Sequence, residues 1–317
     1  MDAVLIREPG ATSFEAVRDP EPQPGEVVIE LRAAALNRRD LRVRAGEYGD
    51  YPLPLVPGSD GAGVRRDTGD EVVILPSLGW GTREDHPGAD FRILGGPDWG
   101  TFAELIAIPA QNVFPKPRRL SWQEAAALPL AGLTAYRALF ARGRLVGGER
   151  VLVLGAGSGV STFAIQLALQ VGAHVVVTSS SQEKLEHAKE FGADRGVLYT
   201  QDGWPDEVGE VDLVLDSVGS TWPESLRCLR PGGRLVVFGA TGGADVSLDA
   251  RSFYLGQCSI LGTTMGSPRD FVGLLPMVED GSWAPVLDSV RPLAEAEAAF
   301  ARLEAKEHQG KLVLEVA

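Results

Sequence analysis

Apolar and polar positions change their rhythm part-way along this chain. Through the first third, short apolar runs rich in β-branched residues, such as "EVVIELRAAAL" (26–36) and "DEVVIL" (70–75), are bounded by Pro and Gly. That pattern predicts short strands joined by fixed turns. The stretch "SLGWGTREDHPGADFRILGGPDWG" (77–100) is Gly-rich without a period and reads as a long loop or lobe, a length that usually carries function or disorder. From residue 121 strands and helices alternate. "SWQEAAALPLAGLTAYRALF" (121–140) reads as helix, opened by a Ser121/Glu124 capping box. "RVLVLG", "AHVVVTS", "VDLVLDSVG", "GGRLVVFGA" and "SILGTTMG" read as strands, with helices at "GVSTFAIQLALQVG", "SQEKLEHAKEFG" and "WPESLRCL". These strands are apolar on both faces, as buried parallel strands are, and the alternation predicts a doubly wound α/β unit. A helix, a strand, a helix and the closing strand "KLVLEV" follow residue 266.

The turn between the first strand and helix of the alternating part is "GAGSGV". Gly155, Gly157 and Gly159, with Ser158 between them, permit a tight turn and close approach to a pyrophosphate, and the helix start then offers free N–H groups to the anion. Val160 stands where the strict fingerprint has its last glycine. The next strand ends in Thr178, Ser179, Ser180 and Ser181, followed by Lys184, where an NAD site usually has a carboxylate for the ribose hydroxyls. Hydroxyls and an ammonium instead accept a 2′-phosphate, so NADP(H) is favoured over NAD(H). Ser181 also reads as a helix N-cap, and Lys184 as a solvated surface charge.

Net charge narrows the picture. At −13, the chain repels phosphate backbones and anionic membranes, so nucleic-acid and membrane partners are not expected. The two cysteines, Cys228 and Cys258, form no CxxC pair and suit a reducing cytoplasm. No apolar run reaches the roughly 18–20 residues of a spanning helix, and the N-terminus has no signal-peptide pattern. The expectation is a cytoplasmic protein.

The order of a β-rich first third, "ALPLAGLTAYRAL", "GAGSGVSTFAIQLA", "DSVG" and a closing "HQGKLVLEV" resembles the medium-chain dehydrogenase/reductase family. The resemblance implies a GroES-like β-rich catalytic domain, built from residues 1–121 and 267–317, with a Rossmann dinucleotide-binding domain, 122–266, inserted between. In the zinc-dependent alcohol dehydrogenases of that family the metal is held by a cysteine, a histidine and a second cysteine. Here Asn37, Ser59 and a position near Leu130 stand there, and the 77–100 loop has no cysteine. An amide, a hydroxyl and a leucine do not replace thiolate and imidazole, so no metal is expected. The chain looks like the zinc-free, quinone-oxidoreductase-like branch.

The resemblance implies that Asn37 and Tyr48 line the substrate pocket, that Asp40 braces their loop, and that Thr134 faces the nicotinamide. It places Ser180, Lys184 and Tyr199 at the adenosine 2′-phosphate end of the cofactor. Loops carrying Ser217, Gly219, Phe238, Gly239 and Ala240 border it, beside the turn residues Gly155–Val160. Ser161 departs from the branch's usual glycine. Hydride addition to an enone leaves an enolate oxygen, for which the Asn37 amide and Tyr48 hydroxyl are the available donors; Tyr48 reads equally as aromatic wall, and Asn37 as a turn residue. The expected function is NADPH-dependent reduction of a quinone, enone or other activated alkene. An NADP-dependent alcohol or ketone dehydrogenase and a non-catalytic NADPH-binding protein are the alternatives. The resemblance implies that the last Rossmann strand pairs with its twin; the apolar strand 258–265, which lacks the charges or prolines that guard an exposed edge, agrees, so a homodimer is expected.

Overall fold

The computed structural model describes residues 1–316. It divides into two compact units: Met1–Ala131 together with the segment from Ser267 onward, and Gly132–Gly266.

The first unit is built on a seven-stranded sheet in the order Leu287–Pro292, Lys311–Glu315, Glu26–Ala35, Asp60–Arg65, Glu71–Ile74 and Val113–Pro115, with Leu105–Pro109 also paired to Glu26–Ala35. Strand Glu26–Ala35 alternates half-buried and buried positions until Ala33, after which its small residues are buried on both faces. Gly63 lies across from Leu31; a Cβ there would meet the Glu30 carbonyl oxygen at 2.1 Å, so only glycine lets these strands approach. The last strand runs antiparallel to Glu26–Ala35, with Val313 opposite Ala35, while Ala35 faces Asp60 on the other side. Both ends of the chain thus share one sheet, over a core of Ile29, Leu31, Ile74, Phe102, Phe300 and Leu314.

Helix Trp122–Ala127, opened by the Ser121/Glu124 capping box, stays with this unit. Its Gln123 amide donates to Glu315. The boundary therefore falls after Ala131 rather than after Ser121. The single helix expected over 121–140 is three pieces, Trp122–Ala127, Pro129–Tyr136 and a wide-turn segment Arg137–Arg142. Pro129, which has no N–H to continue the ladder, starts the second. The 77–100 segment is a folded lobe: Ser77–Leu78 pairs with Arg92–Ile93, and the Trp80 and Phe91 rings meet edge to face at 5.3 Å.

The second unit holds a six-stranded, all-parallel sheet in the order Arg195–Leu198, His174–Ser179, Arg150–Val153, Val211–Asp216, Leu229–Val237 and Ser259–Gly262. Crossovers on either side of Arg150–Val153 give the doubly wound Rossmann arrangement. Helix Gly159–Gln170 is buried over most of its circumference, which explains its nearly unbroken apolar sequence. Short helices at Trp204–Val208 and Ala250–Gly256 were not evident from the hydrophobic pattern. The edge strand is Ser259–Gly262, half the span read from the sequence.

Candidate functional site

In the first unit the register set by Ala35 gathers a buried polar cluster. Continued two residues, it brings Asn37 opposite Lys311. The Lys311 ammonium donates to Asn37 Oδ1 at 2.7 Å and to Asp60 Oδ2 at 2.8 Å. Asn37 Nδ2 donates to the same Asp60 oxygen at 2.9 Å. The other oxygen, Asp60 Oδ1, accepts the backbone N–H of Leu130 at 2.7 Å. All three side chains are buried. Helix Arg38–Arg44 begins at Asn37, whose N–H donates to Asp40 Oδ2 at 2.7 Å. Burial pushes the Asp40 carboxyl up to about 6, against the pull of the neighbouring Arg39 guanidinium.

This network changes the role of Asn37. Its amide oxygen is taken by Lys311 and one amide hydrogen by Asp60, so a single N–H remains for anything else. Tyr48 is 37% exposed, and its ring lies 4.9 Å from the Arg39 guanidinium carbon and 5.6 Å from that of Arg42. Thr134 belongs to the other unit, buried on helix Pro129–Tyr136.

These groups do not fit a zinc ion. Ser59 Oγ accepts from Arg39 Nη1 at 2.7 Å and donates to the Leu94 carbonyl at 2.8 Å. The oxygens of Asn37 and Ser59 are already engaged by two fixed cations, Lys311 and Arg39. Among the described residues no group of three or more His, Cys, Asp or Glu side chains has the geometry of a metal site.

In the second unit the glycine turn is clipped to the next strand: the N–H groups of Gly155 and Ala156 both donate to the Thr178 carbonyl, at 3.1 and 2.7 Å. Gly155 and Gly157 have φ of 79° and 96°, the left-handed region that glycine adopts without strain. Ser158 caps helix Gly159–Gln170, its Oγ accepting from Ser161 N at 3.1 Å. Ser161 ties the turn from inside, donating to the Gly155 carbonyl at 2.8 Å. Val160 opens the helix beside Gly159.

Ser181 caps helix Gln182–Glu190, and the Lys184 stem lies along the turn; a Cβ on Gly157 would meet Lys184 Cδ at 3.0 Å. Ser180 is exposed at the strand end, and Tyr199 is 46% exposed with its N–H on the Ser179 carbonyl. Asp216 organises the following loop, Oδ1 accepting from Val218 N at 2.6 Å and Gly219 N at 3.0 Å. Burial pushes its carboxyl upward, against those two N–H groups. The Ser217 carbonyl accepts from Thr241, Phe238 N donates to the Asp216 carbonyl, and Gly239 and Ala240 follow it. Free N–H groups at a helix start, beside glycines and a lysine, suit a dinucleotide's phosphates.

Two residues at the polar cluster escaped the sequence reading, Lys311 and Arg39. A lysine placed before the apolar run Leu312–Leu314 was the one available signal for the first. For the second, only the fold distinguishes Arg39, 8% exposed, from the exposed Arg38 beside it.

The chain matches the family models "Alcohol dehydrogenase GroES-like domain" over residues 23–118 and "Zinc-binding dehydrogenase" over 159–280. It is 35% identical to a "zinc-type alcohol dehydrogenase-like protein" of Schizosaccharomyces pombe, covering 92% of this chain and 91% of the relative. It is 36% identical to the "2-methylene-furan-3-one reductase" of Solanum lycopersicum, over 93% of this chain and 73% of that one. Among solved structures, an "NAD-dependent alcohol dehydrogenase" superposes with a TM-score of 0.94 at 38% identity, each chain covered completely.

Proposed function

Since the chain belongs to the medium-chain dehydrogenase/reductase family of oxidoreductases, we propose that it is an NADPH-dependent reductase of activated alkenes, enones or quinones that works without zinc. The observation carrying this reading is the Lys311–Asp60–Asn37 network with Arg39 on Ser59: the amide and hydroxyl that stand at the zinc-ligand places are engaged by fixed side-chain cations. A relative named for reducing a methylene-furanone, an alkene conjugated to a carbonyl, supports it.

The cofactor, when bound, supplies a hydride to the β-carbon of the substrate. The alkene's electron pair then moves toward the carbonyl oxygen, which becomes an enolate, and a proton adds at the α-carbon. This chain's residues hold and neutralise that charge. Asn37 keeps one N–H, positioned by Lys311 and Asp60. The Tyr48 hydroxyl, on a ring stacked against Arg39, and solvent supply the proton. Thr134 faces the nicotinamide ring. At the other end of the cofactor, Ser180, Ser181, Lys184 and Tyr199 hold the 2′-phosphate, with Gly155–Val160 on the pyrophosphate and Ser217, Gly219, Phe238, Gly239 and Ala240 along its border. A homodimer in the cytoplasm, joined at edge strand Ser259–Gly262, completes the reading; both cysteines are free thiols.

A second reading, an alcohol or ketone dehydrogenase, is favoured by the similarity to the NAD-dependent enzyme. Oxidation of NADPH and NADH against quinones, enones, alkenals and simple ketones separates the two. Turnover of ketones alone would replace the first reading by the second. Tight cofactor binding with no turnover of any acceptor would leave a non-catalytic NADPH-binding protein.

A further inference from the structure

Arg39 is a buried cation with three of its five N–H donors unused. Nη1 donates to Ser59 Oγ at 2.7 Å and to the Leu94 carbonyl at 2.8 Å. Nε and Nη2 are equally buried and have no hydrogen-bond partner. These two nitrogens form one edge of the planar guanidinium, the side-on fork that grips a carboxylate or other oxyanion with two parallel N–H bonds. The nearest carboxylate, Asp40, lies 3.7 Å from Nη1, beyond hydrogen-bond length and not on that fork. One face of the cation is covered by the exposed Tyr48 ring. Leaving charged donors buried and unpaired is costly, and each such group in a native structure calls for an explanation.

We propose that the Nε–Nη2 edge of Arg39 binds the substrate oxygen that becomes anionic, so that this guanidinium is the principal electrophile of the site. The inference rests on the alkene-reductase reading and names its substrate class: an alkene conjugated to an oxygen that takes up negative charge. When hydride adds to the β-carbon, the C=C pair shifts to the α-carbon–carbonyl bond and the carbonyl pair moves onto oxygen. The enolate oxygen then accepts both N–H bonds, and the α-carbon takes a proton from solvent or Tyr48. The cation needs no proton transfer of its own, and its burial strengthens the attraction. Because the edge is closed to solvent, substrate binding has to open it.

The test compares wild type with Arg39→Gln and Arg39→Lys. It reads NADPH affinity by fluorescence, thermal stability, NADPH-dependent reduction of 3-penten-2-one, and binding of crotonate, a carboxylate probe for the fork. In Arg39→Gln, kcat/KM is expected to fall about 100- to 1,000-fold, the scale of losing an oxyanion donor, while NADPH affinity stays within about twofold. Crotonate binding is expected to vanish in Arg39→Gln, to weaken in Arg39→Lys, which keeps charge but lacks the fork, and millimolar guanidinium to restore part of the Arg39→Gln turnover. Wild-type turnover and crotonate binding in Arg39→Gln would overturn the inference and leave the reductase reading standing. If wild type reduces no enone, that reading fails, and crotonate binding decides the Arg39 site alone: binding lost in Arg39→Gln upholds it, and binding unchanged or absent from wild type refutes it. Should Arg39→Gln not fold, Arg39→Lys decides, with unchanged crotonate binding and turnover counting against.

Discussion

The Lys311 ammonium stands 2.8 Å from the Asp60 carboxylate, although 251 positions separate the two in the chain. Both side chains are almost wholly enclosed, at 3% and 0% exposure. Lys311→Met should therefore cost about 3–5 kcal/mol, because it strands a buried carboxylate. Lys311→Met/Asp60→Asn should recover a good part of the loss. Urea unfolding of wild type, both single variants and the double variant measures the coupling; strictly additive effects would mean that the pair does not act as a unit.

Cofactor preference depends on Lys184, whose stem runs along the glycine turn. NADPH should bind more tightly than NADH, and Lys184→Ala should erode the difference by about 1–2 kcal/mol. Isothermal titration with both nucleotides checks this. Equal affinities in the unmutated protein would refute the assignment.

Asp40 gives a pH signature. Its folded value of about 6 lies above the ordinary aspartate value of 3.8, so the folded state binds the proton more tightly than the unfolded chain. Asp40's contribution is thus fully present below about pH 4 and declines as pH rises through about 6. Asp40→Asn, which stays neutral, should gain on wild type by up to about 3 kcal/mol between pH 4 and pH 7. Denaturant unfolding of both proteins at the two pH values tests the sign. A difference that does not change with pH would show that Asp40 stays ionised throughout.

Purified protein should carry far less than one zinc per chain, and chelators should leave its melting temperature and turnover unchanged, because Asn37 and Ser59 are committed to Lys311 and Arg39. Elemental analysis returning near-stoichiometric zinc, with activity lost on its removal, would overturn the zinc-free reading.

Strand Ser259–Gly262 is the edge of its sheet, with Ile260 and Leu261 half-buried at its centre. Light scattering at micromolar concentration should return twice the chain mass of 33.7 kDa. A charged substitution at Ile260 should shift it toward one chain mass. A monomer in the unmutated protein would exclude this interface.

Local sequence marked the elements whose signals are local. The glycine turn, the Ser158 and Ser181 caps, the Ser121/Glu124 box and the buried parallel strands all act within a few residues of themselves. Steric freedom at glycine, cap hydrogen bonds and hydrophobic period are set by near neighbours. The alternating rhythm, with the shared fingerprints, therefore sufficed for a Rossmann unit within a β-rich one. The break at Pro129 and the four-residue length of the edge strand did not follow from pattern, since packing decides where such elements stop.

The polar cluster was a different matter. From sequence alone Asn37 was a pocket amide or a turn residue; Lys311 was one letter in a closing strand, and Arg39 was one of two adjacent arginines. Only the antiparallel pairing of the last strand with Glu26–Ala35 brings Lys311 to Asn37 and Asp60. Only the orientation of helix Arg38–Arg44 buries Arg39 and leaves Arg38 in solvent. Charge pairing in a dry interior depends on distances of about 3 Å between groups far apart in the chain, and those distances belong to the sheet register rather than to any stretch of sequence.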